Sequence, residues 1–128
     1  MAAPRWAQDL VLQVWLDEGR DELPEIVWRR GGWRRILSAG NTWHDGQRIT
    51  ITAAPGNRID QKLVLLHELA HVLTPGAHHG PGFWDKAWQL YRRYKVPIRY
   101  ALRREQGYRK EAAVAYRRNR KEQPDGSA

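Results

Sequence analysis

At 128 residues the chain is long enough for one hydrophobic core and too short for two, and 41% apolar with 28% charged residues is the balance of a globular protein. It contains no cysteine, which excludes disulfides, a thiol nucleophile and any cysteine-ligated zinc finger or ribbon, so a metal site here must use histidine and carboxylate. The net charge of +8 is unevenly placed: residues 1–85 carry nine Lys/Arg against ten Asp/Glu, while residues 86–128 carry thirteen against four. Seven Trp and a single Phe predict a core filled by indole rings, several of them half in and half out so that the ring N–H can find a partner. Residues 1–10 hold no apolar stretch of signal-peptide length and no transmembrane run follows, which predicts a cytoplasmic protein with no membrane partner.

In chain order, residues 4–18 read as an amphipathic helix, with Pro4 in its first turn, Trp6, Leu10 and Val14 (with Val11 beside them) on one stripe, and Gly19 as its stop. Residues 25–29 form a first short strand and residues 34–42 a second, with a turn at Gly31-Gly32 between them. Residues 47–53 are the clearest strand, because Ile49, Ile51 and Ala53 alternate with Arg48, Thr50 and Thr52. After Ala54-Pro55-Gly56-Asn57, Asp60 is read as the N-cap of a helix over residues 61–73. Leu65, Leu66, Leu69, Val72 and Leu73 cover one side of that helix, and His67 and His71 lie on the other. Thr74-Pro75-Gly76 ends it. A helix over residues 83–94 follows, with Trp84, Trp88 and Tyr91 on one face, then Pro97 as its terminator and a last helix to about residue 120. No repeat or linker divides the chain. The expectation is one α+β domain over residues 1–123, including a basic helical region at about 86–123, with 124–128 as a disordered tail. A short antiparallel or mixed three-stranded sheet would pack on the central helix, with further helices at both ends.

The segment His67-Glu68-Leu69-Ala70-His71 carries the chemistry. Residues four apart share a helical face, so two imidazoles so placed can hold one ion at roughly 2.0–2.1 Å. Glu68 stands about 100° round the helix from His67, out of reach as a ligand but placed to take a proton from an activated water and pass it to a leaving amine. Two histidines and a glutamate in an otherwise apolar helix are costly to bury without a role. Hydrolytic zinc takes three protein ligands and leaves one position open. Candidates for the third are His78, His79, Asp85, Glu105 and Glu111; Asp85 and Glu105 read as surface charges, and spacing alone does not separate His78 from His79.

With His79-Gly80-Pro81-Gly82-Phe83-Trp84 added, the segment resembles the SprT-like zinc metalloproteases, which pair HExxH with a later His-Gly-x-x-aromatic segment opening the next helix. The resemblance runs from about residue 48 to 94. It implies a zincin-like fold, one Zn²⁺ per chain held by His67, His71 and His79, and Glu68 as the catalytic base. It also implies that Phe83 anchors the following helix, and that the strand over residues 47–53 is an edge strand whose Thr50, Ile51 and Thr52 pair with an extended substrate. The chain lacks the cysteine zinc ribbon that several members carry. It is not a metzincin, since its only Met is Met1 and no Met-turn can form.

In the last third, Arg92, Arg93, Arg99, Arg103 and Arg104 are interleaved with Tyr91, Tyr94, Tyr100, Tyr108 and Tyr116. Arg can bind phosphates in a fork and Tyr can stack on bases, so nonspecific nucleic-acid binding is a second expectation. Three functions follow from the sequence. The first is a zinc-dependent endopeptidase acting on protein or peptide, including proteins associated with nucleic acid. The second is a nucleic-acid-binding protein with a structural zinc, and the third a zinc hydrolase with another substrate.

Overall fold

The computed structural model describes residues 3–30, 40–42, 48–53, 57–76, 79–105, 114–115 and 117. Four helices and three strands succeed one another as α1 (Arg5–Asp17), β1 (Glu25–Arg30), β2 (Gly40–Thr42), β3 (Arg48–Ala53), α2 (Arg58–Leu73), α3 (Pro81–Arg93) and α4 (Ile98–Arg104). The class is α+β, as the sequence predicts. The chain divides into two compact units, Met1–Val72 and Leu73–Ala128. No helix among the described residues is long and apolar enough to cross a membrane.

In the first unit, α1 buries Ala7, Val11, Val14 and Trp15. The buried stripe is thus turned from the predicted one: Trp6 and Leu10 are half-buried at its margin. The helix ends where Gly19 adopts φ 69°, with the Arg20 N–H donating to the Trp15 carbonyl at 2.9 Å and the Gly19 N–H to Leu16 at 3.2 Å. This left-handed residue lets the chain reverse, and a Cβ would strain it. The Trp15 ring N–H donates to the Glu22 carbonyl at 2.6 Å, which satisfies its buried indole.

The sheet has the order β1-β3-β2. β1 pairs with β3 in parallel, Glu25 opposite Arg48 through Arg30 opposite Ala53, and β2 pairs with β3 antiparallel, Gly40 opposite Ile51 through Thr42 opposite Ile49. Alternation in the sequence reports which face is buried, not strand direction, so the parallel pairing is new information from the structure. Ile49 and Ile51 are fully buried while Arg48 is exposed, as the period-two pattern requires. The Arg48–Glu25 ion pair at 3.2 Å joins two exposed side chains across the strands and contributes a few tenths of a kcal/mol at most. β3 is the middle strand, so the expectation of an edge strand at Thr50, Ile51 and Thr52 is corrected. Ile49, Thr50 and Ile51 have a partner strand on each side and Thr52 pairs with Arg29 of β1, so among the described strands the outer edges belong to β1 and β2. Of the predicted second strand, only Gly40–Thr42 is observed; residues 31–39 and 43–47 lie outside the described residues.

Rings join three elements of this unit. Trp6 meets Trp28 edge-on at 5.9 Å between centroids, and the Arg58 guanidinium lies 4.6 Å over the Trp6 ring. α2 starts three residues earlier than predicted, and its cap is Asn57, not Asp60. The Asn57 side-chain oxygen accepts the Asp60 N–H at 2.9 Å, and its carbonyl accepts the Gln61 N–H at 3.0 Å. Asp60 lies inside the first turn, where its charge complements the helix dipole.

In the second unit, α3 opens with Pro81 at its first position and buries Phe83, Trp84, Ala87, Trp88, Leu90 and Tyr91. Trp84 and Trp88 lie 6.3 Å apart and Tyr91 meets Trp88 edge-on at 5.4 Å, each pair adding about 0.5–1.5 kcal/mol beyond area burial. Pro97 does not terminate this helix. Lys95 does, at φ 64°, with the Val96 N–H donating to the Tyr91 carbonyl at 2.8 Å, and Pro97 instead caps the start of α4. The last predicted helix stops at Arg104; residues 106–113 lie outside the described residues, and Val114, Ala115 and Arg117 are helical.

The sequence overestimates indole exposure. Trp15, Trp28, Trp84 and Trp88 are buried and only Trp6, among the described tryptophans, is half-exposed.

Asn57→Ala removes the cap of the helix that carries the histidines. We expect a loss of about 1 kcal/mol, read as a lower urea midpoint at unchanged slope, with Asn57→Asp close to the parent.

Candidate metal centre

The helical period of α2 makes His67 and His71 neighbours: their ring centroids are 5.1 Å apart and their planes 67° apart. Around them Leu63, Val64, Leu65, Leu66, Leu69 and Ala70 are buried, and the two imidazoles are half-exposed. The apolar residues hold the helix while the two rings keep access to solvent. Glu68, between them in sequence, is 6% exposed. A carboxylate this deep is expensive to keep in a helix whose other residues are largely aliphatic.

His79 belongs to the turn that opens α3. Gly80 is the N-cap of that helix and His79 the residue before it. Its ring meets Phe83 edge-on at 5.0 Å and lies tilted against Trp84 at 6.0 Å. Phe83 is fully buried, in keeping with its expected role as an anchor.

One ligand nitrogen from each of His67, His71 and His79 lies within 4.8 Å of the others, close enough for the three to hold one metal ion. Tetrahedral coordination at roughly 2.0–2.1 Å per bond sets nitrogens about 3.3 Å apart, so the rings draw together by up to about 1.5 Å to close on an ion. Three imidazoles suit Zn, Cu, Fe or Ni and not the oxygen-seeking Mg or Ca. Asp85 and Glu105 do not belong to the cluster. Glu105 is also not the surface charge the sequence suggests, being 6% exposed, and Asp85 is half-buried. His78 and Glu111 lie outside the described residues.

The predicted nucleic-acid residues are placed on α3 and α4. Arg93, Arg99 and Arg103 are exposed, with Arg92 and Arg104 half-buried. Tyr91 is fully buried and cannot stack on a base, which corrects the expectation for that ring; Tyr94 and Tyr100 are half-exposed. What sequence reading missed is the contact of Trp84 with the third histidine. Its signal was present in the five-residue spacing that joins the position before a helix cap to the fourth helical residue.

Comparison with protein-family models, with curated proteins and with solved structures gave no match.

Elemental mass spectrometry on the purified chain should find about one metal ion per molecule, and His79→Ala should lose most of it, because two imidazoles alone bind weakly. Full metal retention in His79→Ala would remove that residue from the site.

Proposed function

We propose that the chain is a zinc-dependent peptidase of the SprT-like, zincin kind. The observation that carries this reading is the meeting of His67, His71 and His79 within 4.8 Å, on a helix that also carries the buried Glu68. Among the described residues three protein donors meet, which is the count of an open, hydrolytic zinc site, whereas a structural site takes four. A bound zinc ion supplies Lewis acidity toward a carbonyl and lowers the pKa of a water to about 7.

The chain's own residues supply the rest. His67 and His71 hold the ion from one helical face and His79 from the turn ahead of α3. Glu68 accepts the proton of the attacking water and then delivers it to the leaving amine, so one carboxylate serves as base and acid in turn. Its burial strengthens each electrostatic interaction it makes by lowering the local dielectric. An extended peptide that adds to the sheet pairs with β1 or β2, since β3 is the middle one of the described strands.

Glu68→Gln keeps the shape of the side chain and removes the base. The variant should bind metal as the parent does while turnover of an unfolded protein substrate falls by about 10²–10⁴-fold. Undiminished proteolysis by Glu68→Gln would refute the assignment. Metal-dependent hydrolysis of esters or amides without any cleavage of protein would move the reading to a hydrolase of another substrate class.

A second reading, association with nucleic acid, is favoured by the charge of α3 and α4. From Lys86 to Glu105 the chain carries seven Lys/Arg against one acid, Glu105, which is buried. Arg93, Lys95, Arg99 and Arg103 are exposed, and Arg99 and Arg103, four apart, share a face of α4. Such a surface binds a phosphate backbone without sequence preference. Affinity for a short DNA or RNA duplex should therefore fall linearly on a log–log plot against salt. The combined change Arg99→Gln and Arg103→Gln should reduce the slope by about 1–2.

A further inference from the structure

In the second unit, the turn before α3 is closed by a contact between the residue ahead of the cap and the fourth residue of the helix. Gly80 is the N-cap, Pro81 the first helical residue and Trp84 the fourth, so His79 and Trp84 occupy the two ends of a hydrophobic staple. Staples are ordinarily built from aliphatic side chains. Here one end is an imidazole, tilted 33° to the indole plane at 6.0 Å, with Phe83 also meeting it edge-on at 5.0 Å. Trp84 itself is fully buried and packed against Trp88, so its ring is a fixed wall.

We propose that Trp84 is a positioning residue for the third metal ligand, holding the His79 ring in its binding orientation before any ion arrives. The inference rests on the metal-holding role of His79 and concerns how that role is prepared. His67 and His71 are ordered by the backbone of a buried helix, whereas His79 stands on a turn, where an unrestrained side chain would populate several rotamers. Contact with the two aromatic rings removes most of that freedom in the metal-free protein. Binding then does not have to order the third ligand, and the gain appears directly as affinity.

The proposal separates the ring's effect on affinity from its effect on stability. Zn²⁺ affinity would be measured by competition with a chromogenic chelator, on the full chain, for the parent, Trp84→Leu, Trp84→Phe and Trp88→Leu. Trp84→Leu should weaken binding about 10–100-fold, and Trp84→Phe, which keeps an aromatic wall, should stay within about threefold of the parent. Trp88→Leu removes a buried ring one turn further along the same helix; it should lower the melting temperature with affinity unchanged. With Co²⁺ as the probe, the visible bands of a tetrahedral site should weaken in Trp84→Leu and return in Trp84→Phe. Equal affinity in Trp84→Leu and parent would overturn the proposal, as would an equal loss in Trp88→Leu.

A measurement on the parent alone needs no variant to fold. In the metal-free protein a ring proton of His79 should be shifted by the Trp84 ring current and show cross-relaxation with the indole. Unshifted, averaged His79 signals would also refute the proposal. A parent that binds neither Zn²⁺ nor Co²⁺ yet shows the ring-current shift would overturn the metal reading and leave the staple as a structural contact.

Discussion

The geometry of α2 governs the chemistry available to this protein. A helix with 3.6 residues per turn sets His67 and His71 side by side and swings Glu68 about 100° away, so one short segment separates two imidazoles able to share an ion from one carboxylate. The arrangement works only if the helix cannot rotate or slide. Leu63 to Leu66 with Leu69, Ala70 and Val72 prevent that, because all are buried and any rotation would expose them. A polar site on an apolar helix is thus held in place by the residues that take no part in its chemistry.

The third histidine is held differently. His79 precedes a helix instead of lying within one, and its ring contacts are with Phe83 and Trp84 at the start of α3. The same α3 face continues through Trp88 and Tyr91, so the turn bearing His79 is tied to the most densely aromatic stretch of the described chain. Trp84 therefore takes part both in the packing of α3 and in the contact with His79.

At the far end of α3 the reversal is made by Lys95 in the left-handed region, where glycine would be cheaper by about 1 kcal/mol. The exposed lysine lies between Arg92-Arg93 and Arg99, adding a cation to the basic surface at the cost of some backbone strain. Arg92 and Arg93 in the last turn of α3, and Arg103 and Arg104 in that of α4, also complement the two helix dipoles.

The pairing of His67 with His71 and the packing around it were largely legible in the sequence because they are local. The spacing of His67, Glu68 and His71, the burial of Ile49 and Ile51, the stop at Gly19 and the buried face of Trp84, Trp88 and Tyr91 all depend on neighbours within a few residues. The choice of Asn57 as the cap of α2 was local too, yet Asp60 offered an equally good signal, and only backbone geometry separates two capping residues three apart. Other features depended on what lies far along the chain. Strand direction and the central place of β3 follow from which distant segments pair, and alternation carries no information about that. Burial of Glu105 and of most indoles likewise reflects packing partners that no spacing rule names. That a nitrogen of His79 lies within 4.8 Å of those of His67 and His71 is a three-dimensional fact that the five residues of the motif could not contain.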